Sequence, residues 1–188
     1  MKLRTKVTAG VTGVAVAGLL ATAAVVSPGA SAAETAAAPA AAPTADVPPE
    51  IEVPAGNVLS SVFAARGVQH YTCTAGAWAL LEPAASLVGL SRNPRGAQAA
   101  IHYAGPSWQS TIDGSAIQAT RDAGVPNPGS IDLLRLKARN PRGNGVFSRV
   151  SYILRLRTTG GVAPAGACTD GDAKGVAYTA EYRFFVPA

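Results

Sequence analysis

The sequence has little of what metal sites and catalytic centres are built from. It holds two cysteines, two histidines and one methionine in 188 residues. His70 and His102 are too few and too far apart to suggest a metal cluster. There is no P-loop, no His-Glu-x-x-His and no Gly-x-Ser-x-Gly nucleophile elbow. The nearest approach to a dinucleotide fingerprint is Gly143-Asn144-Gly145-Val146-Phe147-Ser148. It lacks the last glycine and runs into a strand pattern, not a helix. No metal and no cofactor is therefore expected. An excess of charge on the folded part is also missing. The formal net charge of +5 includes Lys2, Arg4 and Lys6, which stand in a removable leader. Without them, 13 basic residues face 11 acidic ones, which gives no case for nucleic acid.

What is present begins with that leader. A basic start is followed by an apolar run from Val7 to Val26, the breaker Ser27-Pro28-Gly29 and the small-residue triplet Ala30-Ser31-Ala32. This is the pattern of a signal peptide cleaved after Ala32. Residues 1–32 are read as leader and 33–48 as an Ala/Pro-rich spacer without apolar periodicity. Residues 49–188 form one domain. No second apolar run reaches spanning length, so no membrane span is expected after cleavage. The expected location is extracellular. There, the even pair Cys73 and Cys168 reads as a disulfide, with two free thiols as the alternative.

The domain reads as strands and turns. Period-two alternation runs from Val146 to Arg157 and from Val176 to Val186, which does not fit a helix. In the first run Arg149, Arg155 and Arg157 share one face. Arg66-Gly67 reads as a turn, Asp113-Gly114 as a tight turn inside a Trp108–Thr120 hairpin, and Pro83 as the stop of a strand begun at Ala77. Ala84 to Leu90 suits a helical turn, and Ile131 to Ala138 suits either a strand or a short helix. Many short strands at near-regular spacing give an all-β fold: an antiparallel β-sandwich or flattened barrel of about eight to ten strands with one disulfide. Arg92-Asn93-Pro94-Arg95-Gly96 recurs as Arg139-Asn140-Pro141-Arg142-Gly143. Either this is shared turn chemistry, or two Arg-bearing loops form an anion site.

Three groups of residues are candidates for a site. His102, Tyr103 and Trp108 bracket a Gly-Pro turn, and aromatic rings so placed either stack on sugars and flat ligands or fill the core. His70 is a candidate to join them. Arg149, Arg155 and Arg157 belong to a stretch without acidic residues. They suit either a polyanion such as a wall polymer, or a solvated sheet face. His102 with Asp113 and Ser115 is the nearest approach to a serine triad, but acid and serine straddling Gly114 suit a turn better. No catalytic residue is assigned.

Several strings in order resemble the DUF3455 family of secreted bacterial and fungal proteins. They include Gly67-Val68-Gln69-His70-Tyr71-Thr72-Cys73, His102-Tyr103-Ala104-Gly105-Pro106-x-Trp108, Asp113-Gly114-Ser115, Gly145-Val146-Phe147-Ser148 and Tyr178 to Phe185. The resemblance spans about residues 51–187 and implies neither an established activity nor catalytic residues. Two positions depart from the family pattern: Asp132, where Trp is common, and Leu154, where Gln is common. The reading that results is a non-enzymatic extracellular or wall-associated domain that binds a glycan or an anionic ligand, such as a wall polysaccharide or other anionic surface. A secreted hydrolase using His102 with Asp113 or Ser115, and a structural envelope protein, are the alternatives.

Overall fold

The computed structural model describes residues 46–188. The leader and the spacer up to residue 45 lie outside the described residues. A 3-10 turn, Pro49–Ile51, leads into eight strands: β1 Asn57–Thr74, β2 Ala77–Arg92, β3 Arg95–Tyr103, β4 Ser107–Ser110, β5 Ala116–Asn127, β6 Ser130–Arg142, β7 Tyr152–Gly160 and β8 Ala173–Pro187. Each pairs antiparallel with the next, and β8 pairs with β1, so the sheet closes into a barrel. Closure pairs the backbone edges that an open sheet would expose. No helix among the described residues is long and apolar enough to cross a membrane.

The period-two pattern decides which side chains fill the barrel. On β8, Tyr178, Ala180, Tyr182 and Phe184 are buried in the interior cluster, where Phe63 and Ala65 of β1 meet them. The intervening Glu181 and Arg183 point outward. Cys73 and Cys168 form the disulfide, with Cα atoms 5.9 Å apart.

Four local readings of the sequence are corrected. Gly67 is not a turn; β1 runs straight through it. A Cβ there would stand 2.1 Å from the Ala84 carbonyl oxygen, so the glycine permits close approach of β2. Pro83 does not stop β2, and Ala84 to Leu90 is strand, not helix. The register slips between His70 and Tyr71, opposite Leu81, and a proline beside such a bulge costs the ladder little. Of the two alternatives for Ile131 to Ala138, the structure takes the strand. The run from Val146 is not strand until Tyr152; its first part folds inward as a plug.

Connections alternate between the two ends of the barrel. The β1–β2, β3–β4, β5–β6 and β7–β8 connections and the disulfide share one end. The β2–β3, β4–β5 and β6–β7 connections share the other, which the plug closes. Val146, Phe147 and Val150 enter the interior cluster, and the Phe147 ring lies 4.7 Å from that of Phe184.

The outer walls differ. Val47 and Ile51 pack on Leu154, Leu156 and Phe185 over β7 and β8. Burying Ile51 completely contributes roughly 2 kcal/mol. Folded packing thus begins before Pro48, upstream of the boundary read from composition. Asp46 anchors the segment, accepting from Arg157 at 2.7 Å and from Arg183 at 2.8 and 3.0 Å. Those bonds hold its pKa down to about 2. Across the barrel, Val88, Leu90 and Ile101 are exposed.

Candidate functional site

The network around Asp113 at the plugged end and the groups around Arg155 toward the disulfide end are satisfied to different degrees. At the plugged end, Asp113 Oδ1 accepts from the Ser115 N–H at 2.9 Å and the Ser115 hydroxyl at 2.6 Å. Its Oδ2 accepts from the Val146 N–H at 2.9 Å, and Ser115 Oγ accepts from the Phe147 N–H at 3.1 Å. The carboxylate therefore ties the β4–β5 turn to the plug. Burial pushes its pKa up, but the bonds from Ser115 and Val146 outweigh burial and hold it below the usual range. Gly145 is required here: a Cβ would stand 2.2 Å from Asp113 Cγ.

At the disulfide end, a cavity of about 350 Å³ enters the barrel. Gly105 and Pro106 of the β3–β4 turn line it, with Leu80 and Pro83 from β2 and Leu134 and Leu136 from β6. Its volume falls in the usual range of small-molecule sites, roughly 300–1,000 Å³. An eight-stranded barrel has room either for its own side chains or for one small ligand.

The polar and aromatic lining comes from seven strands. His102 on β3 lies opposite Trp108 on β4. Their rings stack at 4.4 Å with 9° between planes, and both meet Tyr182 of β8 edge-on. His102 Nδ1 lies 2.8 Å from the Ser107 carbonyl oxygen. A carbonyl only accepts, so Nδ1 carries the proton. Burial holds the His102 pKa at about 4; the Ser107 bond opposes this and Arg155 reinforces it. The ring is therefore neutral near pH 7, with Nε2 as an unprotonated acceptor. Gln69 of β1, 2 % exposed, completes the polar lining on that side.

Arg155 of β7 brings a positive charge into this interior. Its Nε donates to the Asp132 carbonyl at 3.0 Å, while the Asp132 carboxylate pairs instead with Arg121 at 3.1 Å. Among the described residues, no carboxylate pairs with Arg155. Burial raises the pKa values of Tyr71, Tyr178 and Tyr182, and the Arg155 charge opposes that rise at all three. The Trp108 Nε1 is buried without a hydrogen-bond partner, and the buried Tyr178 and Tyr182 hydroxyls lie beside each other, with Arg155 next to Tyr182. Orphaned polar groups in an otherwise well-packed interior are uncommon and call for an explanation.

The structure thus brings His102, Trp108 and Arg155 together and leaves the other candidates elsewhere. His70 and Tyr103 do not line the cavity. Arg149 is exposed in the plug connection. Arg157 does not share a face with Arg155: its φ of 49° turns it to the outer wall, onto Asp46. Asp113 and Ser115 lie at the opposite end and bond each other, while His102 bonds Ser107, so the three form no hydrogen-bonded triad. Trp108, 0 % exposed, is no surface platform for a polymer. Of the two departures, Leu154 packs on the outer wall and Asp132 offers Arg155 only its carbonyl. Both Arg-Asn-Pro-Arg-Gly strings fall at the plugged end, the first in the β2–β3 turn and the second closing β6.

Sequence reasoning missed Gln69, Tyr178 and Tyr182. The available signal was parity: all three share the inward phase of Phe63 and Phe184. A family model described as a protein of unknown function (DUF3455) matches residues 54–186. No curated protein and no solved structure matches the chain.

Proposed function

Because the chain belongs to the DUF3455 family, described as of unknown function, we propose a function from the site itself: a non-enzymatic binding domain that takes a small organic ligand through the disulfide end. One observation carries the reading. A cavity of about 350 Å³ is lined by a stacked His102–Trp108 pair with an unpartnered indole N–H and by an arginine that meets no carboxylate, and ligand sites combine apolar walls with a few such convergent polar groups. The disulfide and the leader read from the sequence support an extracellular or wall-associated setting. Arg92, Arg95, Arg142 and Arg149 are exposed at the plugged end and make no ion pair among the described residues, which supports attachment to an anionic wall surface.

Trp108 reports on the cavity directly. With Trp78→Phe removing the second indole, its fluorescence is titrated with small aromatic acids, monosaccharides and insoluble wall polysaccharide. Saturable quenching by small molecules, and none by the polymer, is expected. A response to the polymer alone would move the site to the outer surface and defeat the reading.

A further inference from the structure

We infer that the cavity is built for a monocarboxylic acid with an apolar body about the size of a naphthalene ring system and its carboxylate on Arg155. This rests on the reading of the cavity as a binding site and adds the chemical class of the occupant.

The charge balance inside the barrel points to an anion. Arg155 is anchored through Nε on the Asp132 carbonyl with the Tyr182 hydroxyl beside it, and no carboxylate meets its guanidinium among the described residues. A guanidinium can grip a carboxylate with two parallel bonds. Trp108 Nε1 only donates and lacks a partner, and the Tyr182 hydroxyl lies beside Arg155. A pocket with a cation that meets no carboxylate is complementary to an anionic acceptor, and a neutral sugar would leave the cation unpaired.

One cation matches one negative charge. Arg121, the second arginine on the lining, is already neutralised by Asp132. A dianion such as a phosphate ester would therefore bury an uncompensated charge. Glu82, the one acid among the lining residues, makes no ion pair with Arg155 and further disfavours a second negative charge.

Lining and volume give the body of the ligand. Leu80, Pro83, Pro106, Leu134 and Leu136 supply apolar walls for it. An apolar cavity of about 150 Å³ accepts benzene, so about 350 Å³ suits two fused rings and a head group.

The test is calorimetric titration of the full-length protein at pH 7 with 2-naphthoate and its neutral isostere 2-naphthamide. The carboxylate is expected to bind at least about tenfold tighter, as a charge-assisted pair implies. Arg155→Met should bring naphthoate down to the affinity of naphthamide, and Arg155→Lys should keep part of the preference. Equal affinity of wild type for both probes would overturn the carboxylate assignment and leave the binding cavity standing. Binding of neither would overturn both. If Arg155→Met does not fold, the wild-type pair of probes decides alone.

Discussion

The two ends of this barrel use similar residue types for opposite purposes. At the plugged end, an acid, a serine and backbone N–H groups satisfy one another completely. Toward the disulfide end, an arginine meets no carboxylate and a buried indole N–H lacks a partner. Satisfied polar networks hold a fold together. Unsatisfied ones weaken it and persist where something else completes them. The difference separates Asp113 and Ser115, which tie a turn to the plug, from Arg155, Tyr182 and Trp108, which the proposed reading assigns to a ligand.

Substitutions can break or sharpen this contrast. The largest effect concerns the staple of the open end. Replacing both Cys73 and Cys168 with Ala frees a loop closed across 95 positions and should cost roughly 4–5 kcal/mol by the chain-entropy model, read from urea unfolding. Hydrogen exchange in β1 and β8 near the open end should rise before exchange at Ser115 and Phe147.

Acid comes next. The folded His102 pKa of about 4 lies below its ordinary 6.5, so the unfolded chain takes up this proton first as pH falls. Stability should be full above about pH 6.5 and decline toward pH 4, by on the order of 3 kcal/mol. Asp46 and Asp113, both depressed, add their losses only at lower pH. His102→Gln should flatten the decline between pH 6.5 and 4; an unchanged slope would assign it elsewhere.

Asp113→Ala should cost about 2–3 kcal/mol, because it strands the buried Ser115 hydroxyl and the Val146 N–H. Tyr182→Phe removes a hydroxyl whose polar neighbours are only Arg155 and Tyr178, so it should cost about 1 kcal/mol or less. Thermal unfolding of this pair contrasts the two ends directly. If Tyr182→Phe proves as costly as Asp113→Ala, the open end is not polar in excess.

Much of the architecture was legible in the sequence. Alternation from Val176 to Val186 already separated Tyr178, Ala180, Tyr182 and Phe184 from Glu181 and Arg183, and the cysteine pair gave the disulfide. The unusual run from His102 to Trp108 marks a strand pair that lines the cavity. Other features depended on non-local geometry. Whether Gln69 and Tyr182 face each other is decided by closure of β8 onto β1, which no local pattern encodes. Arg155 and Arg157 have the same parity, and only the left-handed backbone at Arg157 parts them. Val146 and Phe147 continue the alternation of β7, yet their N–H groups are taken by Asp113 and Ser115, far away in sequence, so they form a plug. Asp46 looked like spacer because its partners, Arg157 and Arg183, lie at the other end of the chain.

The central claim is that the buried polar groups serve recognition at the open end and architecture at the plugged one. It is tested most directly by two-dimensional NMR of the protein titrated with 2-naphthoate. The indole N–H of Trp108 and the β3, β4, β7 and β8 amides around the cavity should shift together, while those of Ser115, Val146 and Phe147 stay in place. Shifts confined to the plugged end or the outer wall, with the Trp108 indole unmoved, would contradict it.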